Sequence, residues 1–562
     1  MNSDHTDVGG LTQRFSEILY DQVLVDVTAS VPEIKETLLA TEDQLKNESK
    51  YGDCYIFDYQ EFQDGSPLRP GSEKDVKRLS HDFTELDFNV YSNHLNYTKE
   101  RTLDTLKKAA KNVSERSNCF VCCFLTHGDE GKLLMNDGYL EIEEILKCFS
   151  RSACKNLAGK PKIFIFQACR GRSCEEGVFC DSTDSGSEIS ITDYLDFLLV
   201  YSTYEGKYSF KTKDDEHPEK NHGSFFIDEL CSTLEQFSKK LNFLEILTIV
   251  NYRLAHFYLS CTDKKKTNRK KQMPCFTSRL TTEIKFDKPI DPFSTDDTKY
   301  FDERRQQSYI LGLRKKKGKD PFEDKQIYNI QKSRIKFLYL VNTENNFGSR
   351  LNDCVSYLWS CVDKTDYQIK DLKSWSEGKL MDFLNKVQDC SNTDCLICFV
   401  ACQGKGNDLC DKNGNWFLKQ NIVEQFTGKA CKDLRGKPKI FIFLMSSPPK
   451  KSWLSYVLPK KSCLSCVNVD STDGNDFNMI PEHSDLLEVS ITIQEIKQSE
   501  GVIEKFCNIF GSENSEDFIS QLTKMNDELV RDFGFYSLSS KKLATFYLNS
   551  TLTETLILNN PK

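Results

Sequence analysis

The sequence predicts an α/β protein built from two tandem three-layer α/β/α domains, each with a mostly parallel central sheet flanked by helices. Two observations predict this class. Apolar runs of strand length alternate with longer segments of helical spacing, and strands separated by helices are typical of a parallel sheet covered on both faces. Residues 159–166 read GKPKIFIF, and residues 436–443 repeat these eight letters, which indicates that one domain occurs twice.

The repeat extends on both sides of these identical segments. Residues 119–128 align without gaps with residues 395–404, and the letters DSTD occur at residues 181–184 and again at 470–473. The offset is 277 for the identical segments and 276 for the segments at 119–128 and 395–404, and this near-constant offset indicates tandem duplication of one domain of about 240 residues. The predicted organisation, in chain order, is a short N-terminal segment (1–48), a first copy (49–288), a basic linker (289–333) and a second copy (334–562).

The elements of the first copy follow from the spacing of its apolar residues. Short apolar runs predict strands at 54–57, 119–125, 162–166 and 196–201. Helical spacing predicts helices at 74–86, 98–113, 140–149, 224–237 and 242–259. Extended segments between residues 274 and 286 close the copy.

Composition excludes several classes of protein. Of the 562 residues, 38% are hydrophobic and 28% charged, which is apolar enough to exclude wholesale disorder. A net charge of −9 gives no basis for nucleic-acid binding. No apolar run approaches the length that crosses a bilayer, and the N-terminus lacks the pattern of a secretory signal. We therefore expect a cytoplasmic protein that binds neither membranes nor nucleic acid.

The 23 cysteines do not suggest a disulfide scaffold. Many lie inside apolar strand patterns, where cysteine packs as a small hydrophobic residue, and the expected compartment keeps thiols reduced. CxxC spacings at 119–122 and 463–466 lack the further ligands that a structural zinc site needs. We expect neither a metal nor another cofactor.

Two chemically active side chains follow the second and third predicted strands. Cys169 lies in the run QACRG, and His127 stands before Gly128. Parallel strands end at one edge of a sheet, where catalytic sites form, so we expect the two side chains to face each other. They combine a thiolate nucleophile with an imidazole that moves protons. The other seven histidines, His483 among them, lie in polar surroundings or on helix faces, and we interpret them as structural or solvated.

The signature QACRG, with a histidine upstream, is highly specific. On this signature and the segment THG at 126–128, the first copy resembles a caspase from about residue 51 to 286. The second copy resembles a degenerate caspase domain. The resemblance implies that Cys169 is the nucleophile and that His127 protonates the leaving amine. It also implies that the amides of Gly128 and Cys169 form an oxyanion hole and that the carbonyl of Pro67 orients His127.

Caspases cut after Asp, and the resemblance implies a pocket for one carboxylate. Arg69 and Gln167 match two of the pocket residues of the family. Lys211 stands where the family has a second arginine, and lysine lacks the planar fork that holds a carboxylate. We therefore expect Asp binding weaker by about 1–2 kcal/mol. Tyr208 and Phe210 match the wall of the neighbouring apolar subsite.

Caspases mature by a cut between a large and a small subunit. The polar stretch DSTDSG lies between two strand patterns, and such loops are easily nicked. We expect processing at Asp184 first and Asp181 second, although the stretch also fits an ordinary turn-rich loop.

The second copy lacks the catalytic pair. Gln403 stands in place of His127, and Ser446 in place of the cysteine, so no base activates a nucleophile there. Caspase domains pair edge to edge through their last strands. The resemblance implies such strands near 275–280 and 545–551. A linker of about 45 residues gives each copy a high local concentration of the other, so we expect an intrachain pair of the two copies.

Together these features favour a caspase-type cysteine endopeptidase that cuts after Asp in apoptosis or related signalling. Its expected partners are protein substrates and a second caspase domain, within the chain or from another molecule. One alternative is a weak or inactive homologue that binds and regulates another caspase. A second alternative, a thiol redox sensor, depends only on the number of cysteines.

Overall fold

The structure is a computed structural model, and it describes only part of the chain. The described residues are 50–129, 131–170, 194–204, 209, 223–258, 270–286, 327–342, 356–362, 364–446, 480–481, 483–493, 496–511, 515–532 and 545–558. Outside them lie the segment 1–48, most of the basic linker, and the predicted positions Asp181, Asp184, Tyr208, Phe210 and Lys211.

The described part of the first copy has alternating strands and helices. Its strands are β1 (Gly52–Asp58), β2 (Phe88–Leu95), β3 (Cys119–Leu125), β4 (Gly128–Asp129), β5 (Lys132–Met135), β6 (Gly138–Glu141), β7 (Lys162–Gln167), β8 (Phe197–Tyr201) and β9 (Cys275–Ser278). Its helices are α1 (Ser72–Glu85), α2 (Lys99–Asn112), α3 (Ile142–Lys147), α4 (Phe225–Phe237) and α5 (Phe243–Phe257).

Local sequence explains several of these boundaries. Every residue of β3 and β7 is buried, as expected of parallel strands covered on both faces. Helix α2 begins where the Thr98 side chain accepts a hydrogen bond from the Arg101 amide. Helix α5 begins with a capping box between Asn242 and Glu245.

The described part of the second copy also consists of strands and helices in alternation. Its strands are β10 (Ile335–Val341), β11 (Gln368–Lys373), β12 (Cys395–Lys405), β13 (Asp408–Cys410), β14 (Trp416–Leu418), β15 (Lys439–Ser446), β16 (Leu486–Ile493) and β17 (Thr545–Ser550). Its helices are α6 (Glu377–Val387), α7 (Gln420–Val423), α8 (Ile496–Gly511) and α9 (Phe518–Asp532).

The two copies have the same strand order. The first reads β2-β1-β3-β7-β8-β9, and the second reads β11-β10-β12-β15-β16-β17. In each copy the first five strands are parallel and the last is antiparallel to its neighbour. The predicted fold class, an α/β protein with mostly parallel sheets, is confirmed.

The last strands of the two copies pair with each other. Strands β9 and β17 run antiparallel, with Ser278 opposite Leu548 and Phe276 opposite Ser550. This pairing joins the two half-sheets into one sheet of 14 strands. Side chains strengthen the junction, because Asn526 Nδ2 donates to the Leu280 carbonyl at 2.9 Å.

Apolar clusters lie on both faces of this sheet. On one face, a single cluster contains residues of α1, α4 and α5 together with residues of α8 and α9. On the other face, α2 and α3 cover the first copy, and α6 and α7 cover the second.

Burial raises the pKa of the Cys119 thiol to about 12, which makes this thiol inert near neutral pH. In the described part of the chain, no helix is long and apolar enough to span a membrane.

One buried interaction recurs in both copies at the start of the identical strands. Lys162 Nζ donates to the Leu157 carbonyl at 3.0 Å, and Lys439 Nζ donates to the Leu434 carbonyl at the same distance. Both lysines are almost completely buried. A buried ammonium group needs such acceptors, and both copies provide one through the same lysine-to-carbonyl hydrogen bond.

Two elements differ from the sequence prediction. Strand β2 was not predicted, because this edge strand is polar and only partly buried. The helix predicted at 140–149 is wrong in its first part, since residues 138–141 form β6 and only 142–147 are helical. Pairing of Leu140 with Leu133 in the small sheet β4-β5-β6 overrides the helical spacing there.

Candidate active site

The adjacent parallel strands β3 and β7 end together. Their last paired residues are Leu125 and Gln167, and the Thr126 amide donates to the Gln167 carbonyl at 3.1 Å. His127 and Cys169 each follow two residues after this last pair. The structure therefore brings the two predicted catalytic residues to one edge of the sheet, as the sequence predicts.

The imidazole of His127 is held by two neighbours. Its Nε2 lies 2.7 Å from the carbonyl oxygen of Pro67, and its ring lies 5.0 Å from the ring of Phe62 at a 41° tilt. A carbonyl oxygen only accepts, so Nε2 must carry the proton in this bond. In the neutral ring, Nδ1 is then the nitrogen that can accept a proton, and it releases that proton from the imidazolium form.

Gly128 lies where two backbone segments come close. A Cβ atom at this position would be 2.6 Å from the Cys169 carbonyl oxygen and 3.1 Å from the Ala168 Cβ. Real Cβ atoms essentially never come so close to backbone, so this approach requires glycine. It brings the backbone of Gly128 against that of Cys169, the two residues whose amides are expected to form an oxyanion hole.

The thiol of Cys169 is only partly buried, unlike most other cysteines of the described residues. The Ser209 amide donates to Cys169 Sγ at 3.5 Å, and Gln167 Nε2 donates to Ser209 Oγ at 2.9 Å. Ser209 therefore contacts both the predicted nucleophile and a predicted pocket residue. Sequence reasoning did not single it out, although it lies between the predicted subsite residues Tyr208 and Phe210.

Arg69 is buried, with 2% of its surface exposed. Its Nη1 donates to the Tyr59 carbonyl at 3.1 Å and lies 3.7 Å from Asp58 Oδ1. Its Nη2 is buried and has no hydrogen-bond partner among the described residues. Burial lowers the pKa of Arg69, while the charges of Asp58, Asp75 and Cys169 oppose this effect. Asp58, which ends β1, was not predicted as part of the site.

Arg170 fixes the segment after the nucleophile to the last strands of the copy. Its guanidinium group lies 3.9 Å from the centre of the Tyr201 ring, at the end of β8. Its Nη1 lies 3.5 Å from Cys275 Sγ, at the start of β9. The nucleophile therefore lies one residue from contacts to the strand that pairs with the second copy.

In the second copy, side chains fill the space that corresponds to the catalytic site. There the strand pairing continues to Gln403 and Ser446, which are opposite each other in the ladder, and Ser446 is buried. A Cβ at Gly404 would meet Met445 Sδ at 2.9 Å. Because methionine replaces the alanine that precedes Cys169 in the first copy, its side chain occupies the space in front of Gly404.

Comparison with known proteins identifies the family of both copies. Residues 51–285 and residues 340–556 each match the caspase domain. The chain is 38% identical over 251 residues to caspase-7 of Gallus gallus, covering 43% of this chain and 78% of that protein. It is 36% identical over 242 residues to caspase-3 of Mesocricetus auratus, covering 42% of this chain and 83% of that protein. The chain, with two regions that match the caspase domain, belongs to the caspase family.

Proposed function

We propose that this protein is a cysteine endopeptidase that cleaves after Asp in cytoplasmic signalling of the apoptotic type. Residues 49–288 are the catalytic domain, and residues 334–562 are a pseudocaspase domain that serves as its intrachain partner. The observation that carries this proposal is the buried Arg69, with an unpartnered Nη2 among the described residues, at the site of Cys169 and His127. Such an arrangement combines a nucleophile, a proton carrier and a fixed cation.

The proposed reaction is acyl transfer through the Cys169 thiolate, which forms when the thiol gives its proton to His127 Nδ1. The thiolate attacks the carbonyl carbon, and negative charge develops on the carbonyl oxygen, where the amides of Gly128 and Cys169 donate hydrogen bonds. His127 gives its proton to the leaving nitrogen as the C–N bond breaks. Water then attacks the thioester and gives a proton to His127 Nδ1. The C–S bond breaks, the acid product leaves, and the thiolate and the protonated His127 are restored. The bond from His127 Nε2 to the Pro67 carbonyl leaves Nδ1 as the atom that carries this proton.

Arg69 supports selectivity for Asp on the residue before the cut. A buried guanidinium group that lacks a full set of acceptors binds a carboxylate with charge-assisted hydrogen bonds. Gln167, which is also buried, adds a neutral polar group to the pocket. A neutral amide in place of the carboxylate leaves the buried cation without its ion pair, which is the costly case.

The pseudocaspase domain supplies the partner edge strand that a second molecule supplies in other caspase pairs. Strand β17 covers the outer edge of β9, which leaves that edge unavailable to another chain. Since Arg170 contacts Cys275 at the start of β9, this support extends to the segment that carries Cys169. We place processing of the catalytic domain at Asp184, with Asp181 as a second site.

The proposal is tested with two fluorogenic tetrapeptides that differ only in ending with Asp or Asn. Purified full-length protein should hydrolyse the Asp peptide with a kcat/KM at least about tenfold higher, because a charge-assisted bond contributes about 1.5–3 kcal/mol. Equal turnover of both peptides would contradict Asp selectivity. No turnover, even after a cut at Asp184, would favour the alternative of a regulatory homologue.

Lys211 gives a prediction that depends on the sequence alone. Lys211→Arg should raise kcat/KM for the Asp peptide by about 5- to 30-fold, because it restores a planar donor fork worth about 1–2 kcal/mol. Steady-state kinetics of the two proteins check this. Lys213→Arg, the same change two residues away, is the matched control and should alter nothing. A Lys211→Arg protein no faster than wild type would remove Lys211 from the pocket.

A further inference from the structure

One aromatic contact links the second copy to the segment that leads into the first copy's active site. The ring of His483 lies 4.5 Å from the ring of Tyr204, with an angle of 18° between the planes. His483 is 6% exposed and lies three residues before β16. Tyr204 lies three residues after the end of β8. The contact therefore joins residues 279 positions apart in the chain, one from each copy.

The residues before Tyr204 are fixed on the catalytic segment. Ser202 Oγ donates to the Ala168 carbonyl at 3.1 Å, directly before the nucleophile. Gln272 Nε2 donates to the Ser202 carbonyl at 2.6 Å. Tyr204 is thus two residues from a side chain that holds the backbone of the catalytic segment.

Ser209 lies shortly after Tyr204 in the chain and contacts the site itself. Its amide donates to Cys169 Sγ, and its hydroxyl accepts from Gln167 Nε2. Any group that holds the ring of Tyr204 acts on the backbone next to the nucleophile through Ser202, two residues earlier in the chain, whose hydroxyl donates to the Ala168 carbonyl.

We propose that His483 of the pseudocaspase domain is a positioning residue for the active site of the catalytic domain, acting through its stack on Tyr204. This inference rests on the proposed function and names the residue through which the second copy acts. His483 touches no reacting atom in this proposal. It holds Tyr204, which lies two residues after Ser202, and Ser202 Oγ donates to the Ala168 carbonyl directly before Cys169. The sequence analysis interpreted His483 as structural or solvated, and this proposal gives it a positioning role.

The test uses full-length protein with His483→Ala and His483→Phe. Stacked aromatic pairs contribute about 0.5–1.5 kcal/mol beyond buried area, so His483→Ala should lower kcat/KM for the Asp peptide by about 3- to 10-fold. His483→Phe keeps a flat ring and should restore most of the loss. Tyr357→Ala removes an aromatic side chain of the second copy that is 55% exposed, and it should remain within about twofold of wild type.

A double substitution separates positioning from general destabilisation. Tyr204→Ala with His483→Ala should lose no more kcat/KM than either single change, because both remove the same contact. Additive losses would show that the two rings act independently and would overturn the proposal. So would a His483→Ala protein with unchanged kcat/KM.

A readout without catalysis distinguishes failure of this inference from failure of the proposed function. In the Cys169→Ala background, amide hydrogen exchange of the peptide containing Tyr204 should be faster with His483→Ala and normal with His483→Phe. Equal exchange in all three proteins would overturn the positioning role. A protein that shows the exchange difference but never cleaves the Asp peptide would keep the contact and reject the endopeptidase.

Discussion

Replacing Cys169 with alanine should lower kcat/KM for the Asp peptide by a factor of about 10³ or more, since removal of an activated nucleophile has effects of this size or larger in other hydrolases. We expect this loss of activity to arise at the active site and not from a loss of stability. Cys169 is partly exposed, and its contacts in the described residues include the amide of Ser209. Its loss therefore removes the nucleophile without leaving a large cavity in the core, and the thermal unfolding midpoint should hardly change.

Two companion variants make this result specific. Cys361→Ala removes another partly exposed thiol, located in the second copy, and should leave cleavage unchanged. His127→Ala should be nearly as damaging as Cys169→Ala, and the two losses should not add, because the residues act as one unit. Cleavage that survives in Cys169→Ala would place the activity elsewhere or in a contaminating protease.

The predictable parts of the fold are those in which local sequence and tertiary environment agree. Strand β3 reads CFVCCFL and is buried throughout, so its uninterrupted apolar pattern identifies it. Strand β2 reads FNVYSNHL and, among the strands of the described residues, pairs with β1 alone. An edge strand needs only partial burial, and its pattern is correspondingly weak. The segment at 138–141 shows the opposite case, in which strand pairing overrides a helical spacing.

The candidate site divides in the same way. His127 and Cys169 were predictable because each directly follows a recognisable strand, and parallel strands end at one edge. The ion pair of Arg69 with Asp58 and the stack of His483 on Tyr204 leave no local pattern in sequence. The blocking of Gly404 by Met445 likewise depends on the exact approach of two strands. These contacts are set by packing across the sheet.

The pairing of β9 with β17 should make the activity of full-length protein independent of concentration. A partner tied by a linker is present at an effective concentration on the order of 1 mM, so the pair stays formed at any dilution. Separate chains pair only above their dissociation constant. Specific activity measured from nanomolar to micromolar protein should therefore stay constant for the intact chain.

Cutting the linker should reveal this tether. In a protein with a specific protease site introduced at residue 310, the cleaved halves should remain active at micromolar concentration and lose specific activity on dilution.

A chain that ends at residue 310 lacks β17, so the hydrogen-bonding edge of β9 is open and the Asn526 bond to Leu280 is absent. We expect this truncated chain to self-associate through β9, because an unpaired edge strand tends to pair with another chain. Otherwise its kcat/KM should fall at least about tenfold, because the stack on Tyr204 is also lost. Light scattering identifies the oligomeric state in the same samples. A truncated chain that is monomeric and as active as the full protein would show that the catalytic domain needs no partner, and residues 334–562 would then require a different role.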